Sequence, residues 1–199
     1  MNRIINYVSC SGVVLAGGKS SRFGQDKGLF LLDGKPLVLH ALSSLKPLCK
    51  HVFVSTNQEE DYRAIRAECI TDIYQHCGPM GGIHSALTHA KGDYLLVTGC
   101  DTPFVPNELY RFLLDHAGNH QVVIPTHKGY SETLCSIFKV SCLPLVEEAL
   151  QKKKFKILDA IEDMDVLFLD VENEGFYHER IFHNINYRDD ARGISNTTG

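Results

Sequence analysis

Short apolar runs, rich in β-branched residues and closed by polar or turn residues, recur along the chain at 12–15 (GVVL), 51–55 (HVFVS), 94–98 (YLLVT) and 121–125 (QVVIP). They are short and apolar throughout, the pattern of strands buried on both faces. Between and after them, residues 37–45, 59–67, 81–90 and 106–116 carry apolar positions at helical spacing, and Pro36 and Pro106 suit the first turns of two of these helices. Strand and helix in alternation predict an α/β fold, a largely parallel sheet with helices on both faces.

The second half is less regular. Lys128-Gly129-Tyr130-Ser131 reads as a turn leading into a strand at 133–140, which puts an antiparallel hairpin into the parallel pattern. Helices follow at 143–150 and 157–161, then a late strand at 166–171. The charge block Lys152-Lys153-Lys154, with Lys156, reads as a solvated helix end rather than an anion site. No repeat or low-complexity linker divides the chain. A single domain is expected over residues 1–192, with 193–199 (GISNTTG) a disordered tail.

At 199 residues the chain can bury a sizeable core, and a net charge of −4 argues against a broad nucleic-acid surface. Its seven cysteines form no C-x-x-C pair, so most of them read as small buried hydrophobes in a reducing compartment. No secretory core and no run of about 18 apolar residues is present, so a cytoplasmic protein with no membrane or nucleic-acid partner is expected. Among the ten histidines no H-x-x-x-H or H-E-x-x-H stands on a convincing helix face, so each reads as a surface or satisfied residue rather than a metal ligand.

Chemistry concentrates in LAGGKSSRFGQDKG (15–28), which follows the first strand. Gly17 and Gly18 bare the backbone N–H groups, and Lys19, Arg22 and Lys27 add three cations, the composition of a nucleotide-phosphate cradle. It is not a P-loop, because Val13 stands where the first glycine would be, nor a G-x-G-x-x-G fingerprint.

In an open parallel sheet, ligands gather at the carboxyl ends of the strands. Those positions here hold the glycine loop, then Ser55 and Asn57, then Asp72 with GPMGG (78–82), then Gly99-Cys100-Asp101-Thr102-Pro103. Asp101 suits Mg²⁺, which takes one or two carboxylates together with phosphate oxygens and water. An Asp before Thr-Pro also suits a helix N-cap or Asx turn. Convergence of Asp101, Lys27 and a polyphosphate loop at one sheet edge favours phosphoryl or nucleotidyl transfer. Asp72 and Asn57 suit base or ribose contacts, or structural turns.

These motifs, with DGKPL (33–37), GPMGGI (78–83), CDTPFVP (100–106) and HNINYRDD (183–190), closely resemble the molybdenum cofactor guanylyltransferases over about residues 12–191. The resemblance implies a three-layer, mostly parallel Rossmann-like sheet of the nucleotide-diphospho-sugar transferase type. It implies GTP and molybdopterin as substrates, Mg²⁺ as cofactor, and transfer of GMP to the terminal phosphate of molybdopterin with release of pyrophosphate. It implies catalytic roles for Lys27, Arg22 and Asp101, with Asp101 also the metal ligand. Nucleotide contacts would come from Leu15, Ala16, Gly17, Gly18, Lys27, Ser55, Asn57, Asp72, Gly78, Gly82 and Asp101, and acceptor contacts from Asn184 and Asn186. Molybdoenzyme apoproteins or other cofactor-synthesis proteins would be the protein partners.

Within the wider nucleotidyltransferase superfamily, which typically opens the loop with LAAG, Gly17 and Asp26-Lys27-Gly28 point to the guanylyl branch. The chain departs from the family in its acceptor half. Asn186-Tyr187-Arg188 replaces Asn-Thr-Pro, and residues 129–134 (GYSETL) replace Gly-Arg-x-x-Pro-Leu. Two other readings remain: a cytidylyl- or sugar-phosphate nucleotidylyltransferase, and a non-catalytic nucleotide or cofactor carrier.

Overall fold

β1 (Cys10–Leu15) lies in the middle of the sheet and pairs in parallel with β4 (His51–Ser55) on one side and β6 (Tyr94–Gly99) on the other. The computed structural model describes residues 9–17 and 26–185. After β1, the chain resumes in a short 3-10 turn, Lys27–Leu29, and a two-stranded ribbon, β2 (Leu31–Leu32) and β3 (Lys35–Pro36). The ribbon feeds α1 (Leu37–Leu45), which leads to β4, and then come α2 (Glu59–Tyr62) and β5 (Glu68–Ile70). α3 (Pro79–His89) precedes β6, and α4 (Asn107–His116) precedes β7 (Val122–His127). The rest comprises β8 (Tyr130–Ser131), β9 (Ile137–Lys139), α5 (Leu143–Gln151), α6 (Ile157–Ala160) and β10 (Val166–Asp170).

The sheet runs β10-β7-β9-β6-β1-β4-β5, with β8 paired to β7. Only β9 and β8 run antiparallel to their neighbours, so the expected mixed sheet is present. Successive residues point to opposite faces, and the core divides accordingly. Val14, Val54, Leu96, Val123 and Ile137 pack with Val38, Leu42 and Leu45 of α1 and Leu109 and Leu113 of α4. Val13, Phe53, Leu95, Val97, Val122 and Phe138 pack with Met80, Ile83 and Leu87 of α3, Val146 and Leu150 of α5 and Ile157 of α6. Three layers result. Burial of one large aliphatic side chain contributes about 1.5–3 kcal/mol, so these two faces carry most of the stabilisation.

Several expected boundaries are corrected. The helix expected over 59–67 is α2 followed by a 3-10 turn, because Arg66 turns left-handed at φ 53° and stops it. The strand expected over 133–140 is confined to Ile137–Lys139; residues ahead of it turn, with Cys135 N–H donating to Glu132 O. Lys128 and Gly129, both at positive φ, make the two-residue turn that joins β7 to β8 instead. α3 starts at Pro79, two residues before the expected start, since Pro fits a first helical turn. Pro36 and Pro106 sit one position earlier, at the N-caps of α1 and α4. α6 ends at Ala160 and β10 at Asp170, one residue short of expectation in each case. The lysine block is a solvated helix end as expected: Lys152 pairs with Glu148, and Lys154 lies near Glu162 and Asp163. The expected tail at 193–199 lies outside the described residues.

Candidate active site

The ends of β1, β4 and β6 are tied together by main-chain hydrogen bonds. Cys100 N–H donates to Leu15 O at 3.1 Å, and Ala16 N–H donates to Ser55 O at 2.9 Å. These bonds bring the start of the glycine loop beside both later strand ends. Ala16 is buried and its N–H is committed to Ser55, while Gly17 is exposed, so Gly17 presents backbone at the edge. Gly18, Lys19 and Arg22 lie outside the described residues, as does Asn186.

Lys27 Nζ reaches across this edge to Asp101 Oδ2 at 2.9 Å. Both side chains are about four-fifths buried, at 18% and 22% exposure, so the pair is less screened than a surface one. Asp101 does not cap the next helix; the N-cap of α4 is Pro106. Its Oδ1 lies where Gly99 has no side chain, for a Cβ at 99 would fall 2.6 Å from it. Among the described residues, no group of three or more His, Cys, Asp or Glu side chains is arranged to hold a metal ion. The Asp101 carboxylate, a partly exposed hard oxygen donor beside the glycine loop, nevertheless fits the sparse protein ligation that Mg²⁺ accepts.

On the opposite side of the glycine loop, Ser55 Oγ donates to Asp72 Oδ1 at 3.1 Å, and Asp72 N–H donates to Asn57 Oδ1 at 3.2 Å. Burial raises the Asp72 carboxyl above its ordinary pKa, and hydrogen bonds from Ser55 and Asn57 partly oppose that shift. α3 lies close against this group. A Cβ on Gly82 would meet Ser55 Oγ at 2.6 Å and Leu15 Cδ2 at 2.8 Å, and one on Gly81 would meet Tyr74 O at 2.7 Å. Gly78, at φ 58° and ψ −147°, occupies a region open essentially only to glycine and turns the chain into Pro79.

Ile185 N–H donates to Asp101 O at 2.9 Å, which brings the late HNIN segment, with exposed Asn184, to the same edge. Ile185 is fully buried with Leu32 and Leu37, against Phe30 and Phe104. Leu134 O accepts from Gly99 N–H at 3.0 Å, so the departing segment 129–134 also abuts the Asp101 turn. Its Glu132 is paired with His127 at 2.9 Å.

The structure therefore gathers Leu15, Ala16, Gly17, Lys27, Ser55, Asn57, Asp72, Gly82, Asp101 and Asn184 around one end of the sheet. Sequence reasoning missed Tyr62, which carries no motif of its own. It named Gly99, Ile185 and Asp26 only as parts of motifs. The Asp26 side chain caps the 3-10 turn, accepting from Gly28 N–H at 2.8 Å, and Asp before a tight turn is a readable signal.

Comparisons with known proteins identify the family. The MobA-like NTP transferase domain matches residues 12–164. A relative from Carboxydothermus hydrogenoformans, named a probable molybdenum cofactor guanylyltransferase, is 33% identical over 87% of this chain and 88% of its own. The molybdenum cofactor guanylyltransferase of Desulfosudis oleivorans is 31% identical over 74% of each chain. The crystal structure of molybdopterin-guanine dinucleotide biosynthesis protein A from Archaeoglobus fulgidus superposes with a TM-score of 0.77 at 28% identity, covering 92% of this chain and 95% of the other. With the motif order and the strand-end geometry in accord, the chain belongs to the MobA-like NTP transferase family of nucleotidyltransferases.

Proposed function

We propose that this nucleotidyltransferase transfers GMP from GTP to the terminal phosphate of molybdopterin, forming the guanine dinucleotide cofactor and pyrophosphate. The observation that carries the reading is the Lys27–Asp101 pair at the edge where the glycine loop and the Ser55–Asp72 group meet. An acceptor phosphate oxygen attacks the α-phosphorus of GTP, the bond from that phosphorus to its bridging oxygen breaks, and pyrophosphate leaves. Such a reaction is accelerated mainly by positioning and by neutralising charge at phosphorus.

Lys27 places its ammonium beside the transferring phosphate, with Arg22 as a second cation. Leu15, Ala16, Gly17 and Gly18 offer backbone to the nucleotide. Ser55, Asn57 and Asp72 face its base and ribose, bounded by Gly78 and Gly82. Asp101 would hold Mg²⁺, which when bound supplies charge neutralisation at the phosphates. Asn184 and Asn186 form the acceptor side. Molybdoenzyme apoproteins or other cofactor-synthesis proteins are the protein partners proposed for this role, and the cytoplasm is its expected compartment.

Pyrophosphate release is measured with Mg²⁺, molybdopterin and each nucleoside triphosphate in turn, with Asp101→Ala as control. Release with GTP alone, lost in the control, is the expected result. Preference for CTP would move the protein to the sister branch, and tight GTP binding without release would make it a carrier.

A further inference from the structure

We propose that Tyr62 is a positioning residue for Lys27, acting through the Asp26 carboxylate. The inference rests on the nucleotidyl-transfer reading above, in which Lys27 meets the transferring phosphate. Tyr62 belongs to α2, the segment that follows the Ser55–Asn57 strand end, and its ring is 1% exposed among Val54, Leu42 and their neighbours. Its hydroxyl donates to Asp26 Oδ1, the same oxygen that accepts Gly28 N–H at 2.8 Å. Asp26 and Gly28 flank Lys27, so one carboxylate oxygen holds both ends of the turn from which the lysine projects to Asp101.

The close approach is built in. A Cβ at residue 28 would lie 2.3 Å from Tyr62 Oη, so only glycine lets the turn come this near the ring. A phenylalanine would fill the same core space, so the hydroxyl is what joins the core to the turn. Because the ring is locked by packing on the α1 and α4 side of the sheet, the hydroxyl is a fixed point on which the turn is hung. Tyr62 thereby links the nucleotide-base side of the edge to the phosphate side.

Tyr62→Phe removes only the hydroxyl, and Asp26→Asn keeps an acceptor oxygen for both donors while Asp26→Ala removes it. Lys27 acylation is followed by peptide mass spectrometry against exposed Lys50 as internal reference, alongside kcat and KM for GTP. In Tyr62→Phe and Asp26→Ala, Lys27 is expected to label about threefold faster or more, the scale of a loosened, partly exposed ion pair. A fall in kcat of about tenfold or more, with little change in KM, accompanies it. Asp26→Asn stays near wild type in both readouts. In a Lys27→Ala background, Tyr62→Phe has no further effect on kcat.

Folded Tyr62→Phe with unchanged Lys27 labelling and kcat overturns the proposal. So does an equal loss of kcat with and without Lys27, which would make the hydroxyl merely structural. Should Tyr62→Phe fail to fold, the Asp26→Asn and Asp26→Ala comparison decides by the same labelling. If the wild-type protein releases no pyrophosphate from any triphosphate, the functional reading fails, while Lys27 labelling still tests the positioning role.

Discussion

Lys27 and Asp101 stand 74 positions apart in the chain and meet at 2.9 Å, the one bringing its charge from the turn after the glycine loop and the other from the end of β6. Each orients the other before any substrate arrives. Lys27→Ala and Asp101→Ala are each expected to lower kcat by about 100-fold or more. The double variant should fall near the worse single variant, not at the product of the two, because both act on one charge distribution. Pyrophosphate release on proteins with unchanged circular dichroism checks this.

Two glycines at the same edge separate steric from ligand-facing roles. Gly99→Ala drives a methyl group against Asp101 Oδ1, 2.6 Å away, and so displaces the carboxylate. It should lower kcat about tenfold and cost about 1–3 kcal/mol of stability. Gly17 has only Ser55 O at 3.9 Å among the described residues, so Gly17→Ala should leave Tm unchanged and raise KM for GTP. Melting curves and steady-state kinetics on both variants distinguish the roles.

Asp72 gives a pH signature. Burial makes the folded chain hold this proton more tightly than the unfolded chain does. Its contribution to stability is therefore fully present below the unfolded carboxylate pKa of about 3.9 and is lost as pH rises through the higher folded value. Asp72→Asn should raise Tm relative to wild type at pH 7, with the difference closing as the medium is acidified below the ordinary carboxylate range. Weaker GTP binding should accompany the gain, since a costly half-buried carboxylate at a site is retained for its ligand. Calorimetry at several pH values and GTP titration test both halves.

The cysteines should behave as packing residues. None of the seven is in a disulfide, and burial pushes the Cys10 and Cys142 thiols up to about 11 and Cys49 to about 12. Roughly one thiol in a thousand at pKa 11 is ionised at pH 8. A chromogenic disulfide reagent should therefore react slowly with Cys10, Cys49 and Cys142 in the native protein, and rapidly after denaturant is added. Fast native labelling of any of these three would contradict their burial.

The central strands were readable because the runs at 12–15, 51–55 and 94–98 are apolar enough to be buried on both faces, and the ends of the last two named Ser55 and Asp101 directly. What escaped was set by tertiary contact. The 3-10 turn after α2 stops at a left-handed Arg66 that no local signal demands, and β9 is short because Cys135 N–H bonds back to Glu132 before the sheet takes over. Nothing local marks Tyr62, whose part depends on its hydroxyl meeting Asp26 36 positions away. Sequence pattern reports periodicity and composition; it does not report which two distant side chains share an oxygen.

Ile185 has a bearing on how the protein is made. It seals Leu32 and Leu37 and bonds the backbone of Asp101, yet it is translated after every strand of the sheet. During vectorial synthesis the sheet can assemble while these apolar side chains still lack their cover. The nascent chain can thus pass through a stage in which its scaffold is built while Leu32, Leu37 and the Asp101 turn wait for this late segment to close over them.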